Sequence, residues 1–170
     1  MNGIKNMKIK LISLLLIILV VVFLITAFDD TNLIIKGFFY ALILMYTSYI
    51  DIKTKTIPDK VHVLILLISL IKINLIYSLL GFLIVPLPFF ITALLKGGGI
   101  GGGDVKFMAA SSFLLGIKGG FIASIIGLLL ALIINAILYK VKNKDKNISF
   151  PLAPYLSVGC FLSYLILGGF

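Results

Sequence analysis

Leu75-Ile-Tyr-Ser-Leu-Leu-Gly-Phe-Leu-Ile-Val-Pro-Leu-Pro-Phe-Phe-Ile-Thr-Ala-Leu-Leu95 runs its whole length without a charged residue. A membrane-spanning helix needs about 20 mainly apolar residues, so this stretch reads as a span. Its prolines, Pro86 and Pro88, are tolerated in a membrane where neighbouring groups satisfy the freed carbonyls. The same pattern recurs on both sides. Residues 11–28 are uncharged, and 33–50 carry only Lys36 near one end. A shorter helix from Pro58 to about Lys72 follows, with Pro58 expected in its first turn. Beyond the 75–95 span come 104–117, rich in small residues, then 119–140 and 150–168. The expectation is an all-α polytopic membrane protein of about seven transmembrane helices, one N-terminal helix and a six-helix core.

Composition supports that reading. The 170 residues are 61 % hydrophobic and 12 % charged, with a mean hydropathy of +1.23. Soluble domains lie nearer 45–50 % apolar and about 25 % charged, and a chain this short has little interior in which to hide the excess. A water-soluble globule and a disordered chain are both excluded. All 15 basic residues are Lys and all six acidic ones are Asp. The net charge of +9 is better explained by lysines flanking membrane spans than by a nucleic-acid partner, because no long basic face lies outside the apolar segments. The single cysteine, Cys160, sits in an apolar run and reads as a buried structural thiol. It excludes an intrachain disulfide and a cysteine-cluster zinc site.

Lysine placement orients the chain. With a cytoplasmic N-terminus, Lys5, Lys8, Lys10, Lys53, Lys55, Lys60, Lys96, Lys106, Lys140, Lys142, Lys144 and Lys146 fall inside. Only Lys36, Lys72 and Lys118 fall outside, a clear positive-inside asymmetry. The expected division is an N-terminal membrane helix with its outside loop at 1–32 and a membrane core at 33–170. The first segment is read as an uncleaved helix, since its apolar run exceeds that of a signal peptide and no Ala-x-Ala site precedes Asp29.

In this topology Asp51, at the end of the second segment, and Asp104, at the start of the fifth, share the cytoplasmic side. Two adjacent carboxylates share a proton. Such a pair serves an aspartic protease, one member drawing a proton from water while the other polarises the scissile carbonyl. The plainer alternative is that Asp104 caps a helix and Asp51 pairs with Lys53 or Lys55 at the headgroups. Between the two acids lies Lys96-Gly-Gly-Gly-Ile-Gly-Gly-Gly103, which reads either as a flexible linker or as backbone needing close approach or positive φ. A nucleotide loop is rejected, because Gly97, Gly99 and Gly102 match Gly-x-Gly-x-x-Gly without a preceding strand.

Three segments carry a resemblance. Gly101-Gly-Gly-Asp104-Val-Lys-Phe-Met-Ala-Ala110 is similar to the Gly-x-Gly-Asp-Val-Lys motif of the type IV prepilin peptidases, which are membrane aspartic peptidases. Tyr49-Ile-Asp51-Ile-Lys-Thr-Lys-Thr-Ile57-Pro58-Asp59 resembles that family's first aspartate motif. Ile148-Ser-Phe150-Pro-Leu-Ala-Pro154-Tyr-Leu156-Ser-Val-Gly159 resembles its closing Pro-Phe-Gly-Pro segment less faithfully. Together they cover the chain from about Leu33 onward. The resemblance implies that Asp51 and Asp104 are the catalytic pair and that Gly101 and Gly103 shape the loop presenting Asp104. Lys106, Pro58 and Asp59 are then supporting motif residues. It implies an endopeptidase of the plasma membrane that removes the leader from prepilin-like precursors at the cytoplasmic face, without metal or cofactor. Relatives that also N-methylate their product carry a domain with two cysteine pairs that bind zinc. With one cysteine here, no methyltransferase activity is expected.

A non-enzymatic transporter or pilus-assembly subunit, using the aspartates for protons or ions, is the alternative. A presenilin-like protease also uses Gly-x-Gly-Asp, but its Tyr-Asp and Pro-Ala-Leu companions are missing. Asp29 and Asp30 are expected to be solvated in an outside loop, Asp145 to be a surface charge, and Lys53 and Lys106 to snorkel to headgroups. His62 is expected to be an interfacial helix residue.

Overall fold

The computed structural model describes residues 2–96, 100–142 and 150–168. Residues 97–99 of the glycine tract, the Lys144–Lys146 charges with Asp145, and the start of the closing segment at Ile148 lie outside them. Among the described residues the chain is all helical. Helix α1 covers Asn2–Ala27, α2 Thr31–Thr54, α3 Asp59–Ser69, α4 Leu75–Ile84, α5 Leu87–Lys96, α6 Gly102–Lys142 and α7 Ala153–Leu167. Three stretches, Thr31–Thr54, Leu75–Leu95 and Gly102–Leu138, are long and apolar enough to cross a membrane.

Each boundary has a local cause. Asp30 is the N-cap of α2, its Oδ1 accepting the Asn32 N–H at 2.9 Å. Helix α2 stops at Lys55, whose left-handed backbone (φ 55°) turns its N–H onto the Asp51 carbonyl at 2.8 Å. Pro58 is the N-cap of α3, one position before the first turn in which the sequence places it. Its ring fixes φ and its ψ of 142° is extended, so Asp59 becomes the first helical residue. Helix α3 also ends earlier than expected, at Ser69, with Lys72 in positive φ.

The 75–95 span is bent rather than continuous. Helix α4 ends at Ile84 and α5 begins at Leu87, because Pro86 offers no N–H to continue the helical hydrogen bonding, although Val85 before it keeps helical backbone. The longest helix is broken too. Gly116 has φ 72° and ψ 174°, values that a side chain makes costly. A Cβ at Gly120 would lie 2.5 Å from the Ser112 Oγ. Residues eight apart along a straight helix are separated by about 12 Å, so the chain doubles back at Gly116. The two arms, 102–115 and 117–142, match the two separate helices expected from the sequence.

Small residues set the closest approaches. A Cβ at Gly81 would meet the Ser112 carbonyl at 2.4 Å, and one at Gly159 would meet that of Ala123 at 2.3 Å. These contacts bring α4 against the first arm of α6 and α7 against the second. In the interior, the Tyr164 ring stacks edge-on against Tyr40 and Phe28, and its hydroxyl donates to the Leu33 carbonyl at 2.7 Å. Cys160 is buried as a free thiol. Leu79, Leu83, Leu94, Leu132 and Ile133 face outward, as expected where lipid is the solvent.

The lysines sort to the two ends. Lys72 binds Asp30 at 2.5 Å and lies near Lys36, while Lys118 lines a cleft with Asn74. Asp30 is therefore capped and paired rather than merely solvated, and the Lys72 ammonium holds its carboxyl below the usual carboxylate range. Lys106 lies with Asp59 at the other end.

Candidate active site

Asp51 occupies the last turn of α2, and only 4 % of its surface is exposed. The carboxylate crosses to a different helix. Its Oδ2 accepts the Ala153 N–H at 2.9 Å, and the Leu152 N–H also bonds to it. The first N–H groups of any helix lack intrahelical partners, and Leu152, the N-cap of α7, has no capping side chain of its own. Asp51 supplies that cap from α2. A headgroup pair with Lys53 is not formed, since Lys53 lies over the Tyr49 ring and binds its hydroxyl.

Asp104 stands at the third position of α6. The Gly101 N–H donates to its Oδ2 at 3.3 Å, and the Asp104 N–H donates to the Gly101 carbonyl at 3.0 Å. This reach of a third-position carboxylate back to the N-cap N–H is one half of a capping box. Capping uses a single oxygen. Oδ1 is buried and has no hydrogen-bond partner among the described residues, so a polar position remains for water or a substrate atom. The two carboxyls are near enough that the charge of Asp51 acts on Asp104.

The glycines before Asp104 serve space rather than strain. Only Gly116 and Gly168 among the described glycines have positive φ. A Cβ at Gly101 would sit 3.3 Å from the Asp104 Oδ2, one at Gly103 would touch Ile57 at 3.4 Å, and one at Gly102 would meet nothing within 4 Å. The loop is thus packed on one side and open on the other.

Lys106, one turn beyond Gly102, reaches Asp59 at 2.8 Å, with both side chains exposed. It does not simply snorkel. This pair and the contact of Ile57 with Gly103 bring the two aspartate segments together, with Pro58 between Ile57 and Asp59. His62, expected at an interface, is buried one turn along α3, its two ring nitrogens without hydrogen-bond partners among the described residues. No group of three or more metal-ligating side chains occurs among the described residues. The contribution of the α7 N-terminus was not legible in the sequence, because backbone N–H groups carry no residue signature.

A model of the type IV leader peptidase family matches residues 38–138. The chain belongs to this family. The match takes in Asp51, Asp59, Gly101, Asp104 and Lys106 and ends before α7. No curated protein and no solved structure matches the chain. Membership makes the protein a membrane peptidase with leader-peptidase-like function, and it implies prepilin-like substrates. The long apolar spans agree with it.

Proposed function

We propose that this leader-peptidase family member is an aspartic endopeptidase of the plasma membrane. It cuts prepilin-like precursors at the cytoplasmic face, with Asp51 and Asp104 as the catalytic pair. The observation that carries the reading is that Asp51, buried, and Asp104, half-buried, come from separate sequence motifs yet lie near one another at one end of the bundle, with the Asp104 Oδ1 buried and without a hydrogen-bond partner among the described residues. In the proposed reaction one carboxylate takes a proton from water, and the resulting hydroxide attacks the scissile carbonyl. The other, protonated, donates to that carbonyl oxygen. The tetrahedral adduct collapses, the C–N bond breaks, and the leaving amine takes up a proton. The open side of Gly102 gives the substrate backbone a path to the pair.

The same reading takes the 75–95 span as one crossing and the two arms of α6 as two, for seven in all, with 1–32 as an accessory helix and loop and 33–170 as the core. Clustering of Lys36 and Lys72 opposite Lys106 supports a cytoplasmic position for the pair. An apolar groove of about 410 Å³ between α1, α2 and α7, lined by Val20, Leu44, Tyr49, Ile52, Pro154 and Val158, runs up to the turn that holds Asp51. It suits the apolar helix of a precursor by helix-in-groove packing.

The test is co-expression with a prepilin-like precursor. Asp51→Asn and Asp104→Asn should each abolish leader removal while the protein stays at normal abundance in the membrane. Continued cleavage in either variant defeats the proposal.

A further inference from the structure

The backbones of α2, which carries Asp51, and α6, which carries Asp104, do not pack closely on one another. Apart from core side chains such as Tyr40 and Ser111, which lie near one another, their relative placement depends on intermediaries. Helix α7 packs against both and holds Asp51 through the Ala153 N–H. Helix α3 also contacts both. It is joined to α2 by a short turn, and it reaches the start of α6 through the Ile57–Gly103 contact and the Lys106–Asp59 ion pair.

That ion pair is not there for stability. Both side chains are mostly exposed, and water screens such pairs until they contribute little to folding. Its location is what matters. Asp59 is the first residue of α3, and Lys106 lies half a turn from Asp104 on α6. The bridge therefore closes the site end of two helices, one of which continues directly from the Asp51 turn.

We propose that Lys106 and Asp59 are positioning residues, a clasp that sets the spacing between Asp51 and Asp104. The inference builds on the aspartic-peptidase reading above, and it makes a geometric claim that can be tested apart from it. Neither residue touches the reacting atoms. Each acts by fixing the approach of two carboxyls that must work on one peptide bond, where a misplacement of about 1 Å can cost around a hundredfold in rate.

Two measurements test it. With a prepilin-like precursor in detergent, Asp59→Asn and Lys106→Met should each lower kcat by about ten- to a hundredfold, with KM little changed and the protein still folded. Lys106→Arg, which keeps the bridge, should restore most of kcat. The double variant should be no worse than the poorer single one, because both changes remove one interaction. The second measurement needs no activity. In a Cys160→Ala background, Asp51→Cys with Asp104→Cys is cross-linked by a short bifunctional maleimide. The yield should fall when Asp59→Asn or Lys106→Met is added and hold with Lys106→Arg. Unchanged cross-linking in the clasp variants overturns the proposal, as does a double variant whose losses multiply. A drop in cross-linking in the clasp variants, together with no precursor cleavage by the unsubstituted protein, upholds the clasp and removes the peptidase reading instead.

Discussion

The two ends of the bundle use the same residues differently. At one end Asp30 caps α2 and pairs with Lys72. At the other, Asp59 begins α3 and pairs with Lys106, but behind that pair lie Asp51, buried, and Asp104, half-buried with its Oδ1 covered. Asp30 has both roles filled, as a cap and as an ion-pair partner, and it faces water. Asp104 has one oxygen occupied and the other buried without a hydrogen-bond partner among the described residues. A membrane protein keeps such a group only at a cost, so the unfilled oxygen separates a candidate reactive acid from a structural one.

One substitution applied at each aspartate sharpens that contrast. Asp51→Asn and Asp104→Asn should have the largest effect, a loss of precursor cleavage by roughly 10²–10⁴-fold or more, as expected for removal of an acid–base group. Asp59→Asn should fall in between, through the clasp. Gly101→Ala should come next. Its methyl would crowd the Asp104 Oδ2 without meeting a forbidden φ, and kcat should drop by about threefold to tenfold. Gly102→Ala has room in the free protein, so it should raise KM rather than lower kcat if substrate backbone passes there. Asp30→Asn should have the smallest effect, leaving cleavage within about twofold. A large loss at Asp30 would erase the distinction between the ends. All six variants are read by the same assay, with membrane abundance as the control.

Much of this arrangement was legible in the residues. The apolar runs located the helices, and the break expected between 117 and 119 falls within two residues of the one at Gly116. Gly-Gly-Gly-Asp104 and Asp51 stood out because isolated acids beside apolar helix demand a reason. Other features were not visible. Local pattern made 75–95 a single helix, whereas Pro86 divides it. It put His62 at an interface, whereas α3 buries it. Lys106 looked like a headgroup anchor until α3 brought Asp59 within 2.8 Å.

The residue string alone settled the solvent, the helical class and the two acids worth following, because hydropathy and charge are local properties that each segment carries wherever it lies. Tertiary structure decided the partners: the α7 N-terminal backbone that holds Asp51, the Asp104 oxygen left without one among the described residues, and the bridge from Lys106 to Asp59. Those depend on which helix ends meet, and that is fixed by glycine and serine surfaces packing far along the chain from the acids they bring together.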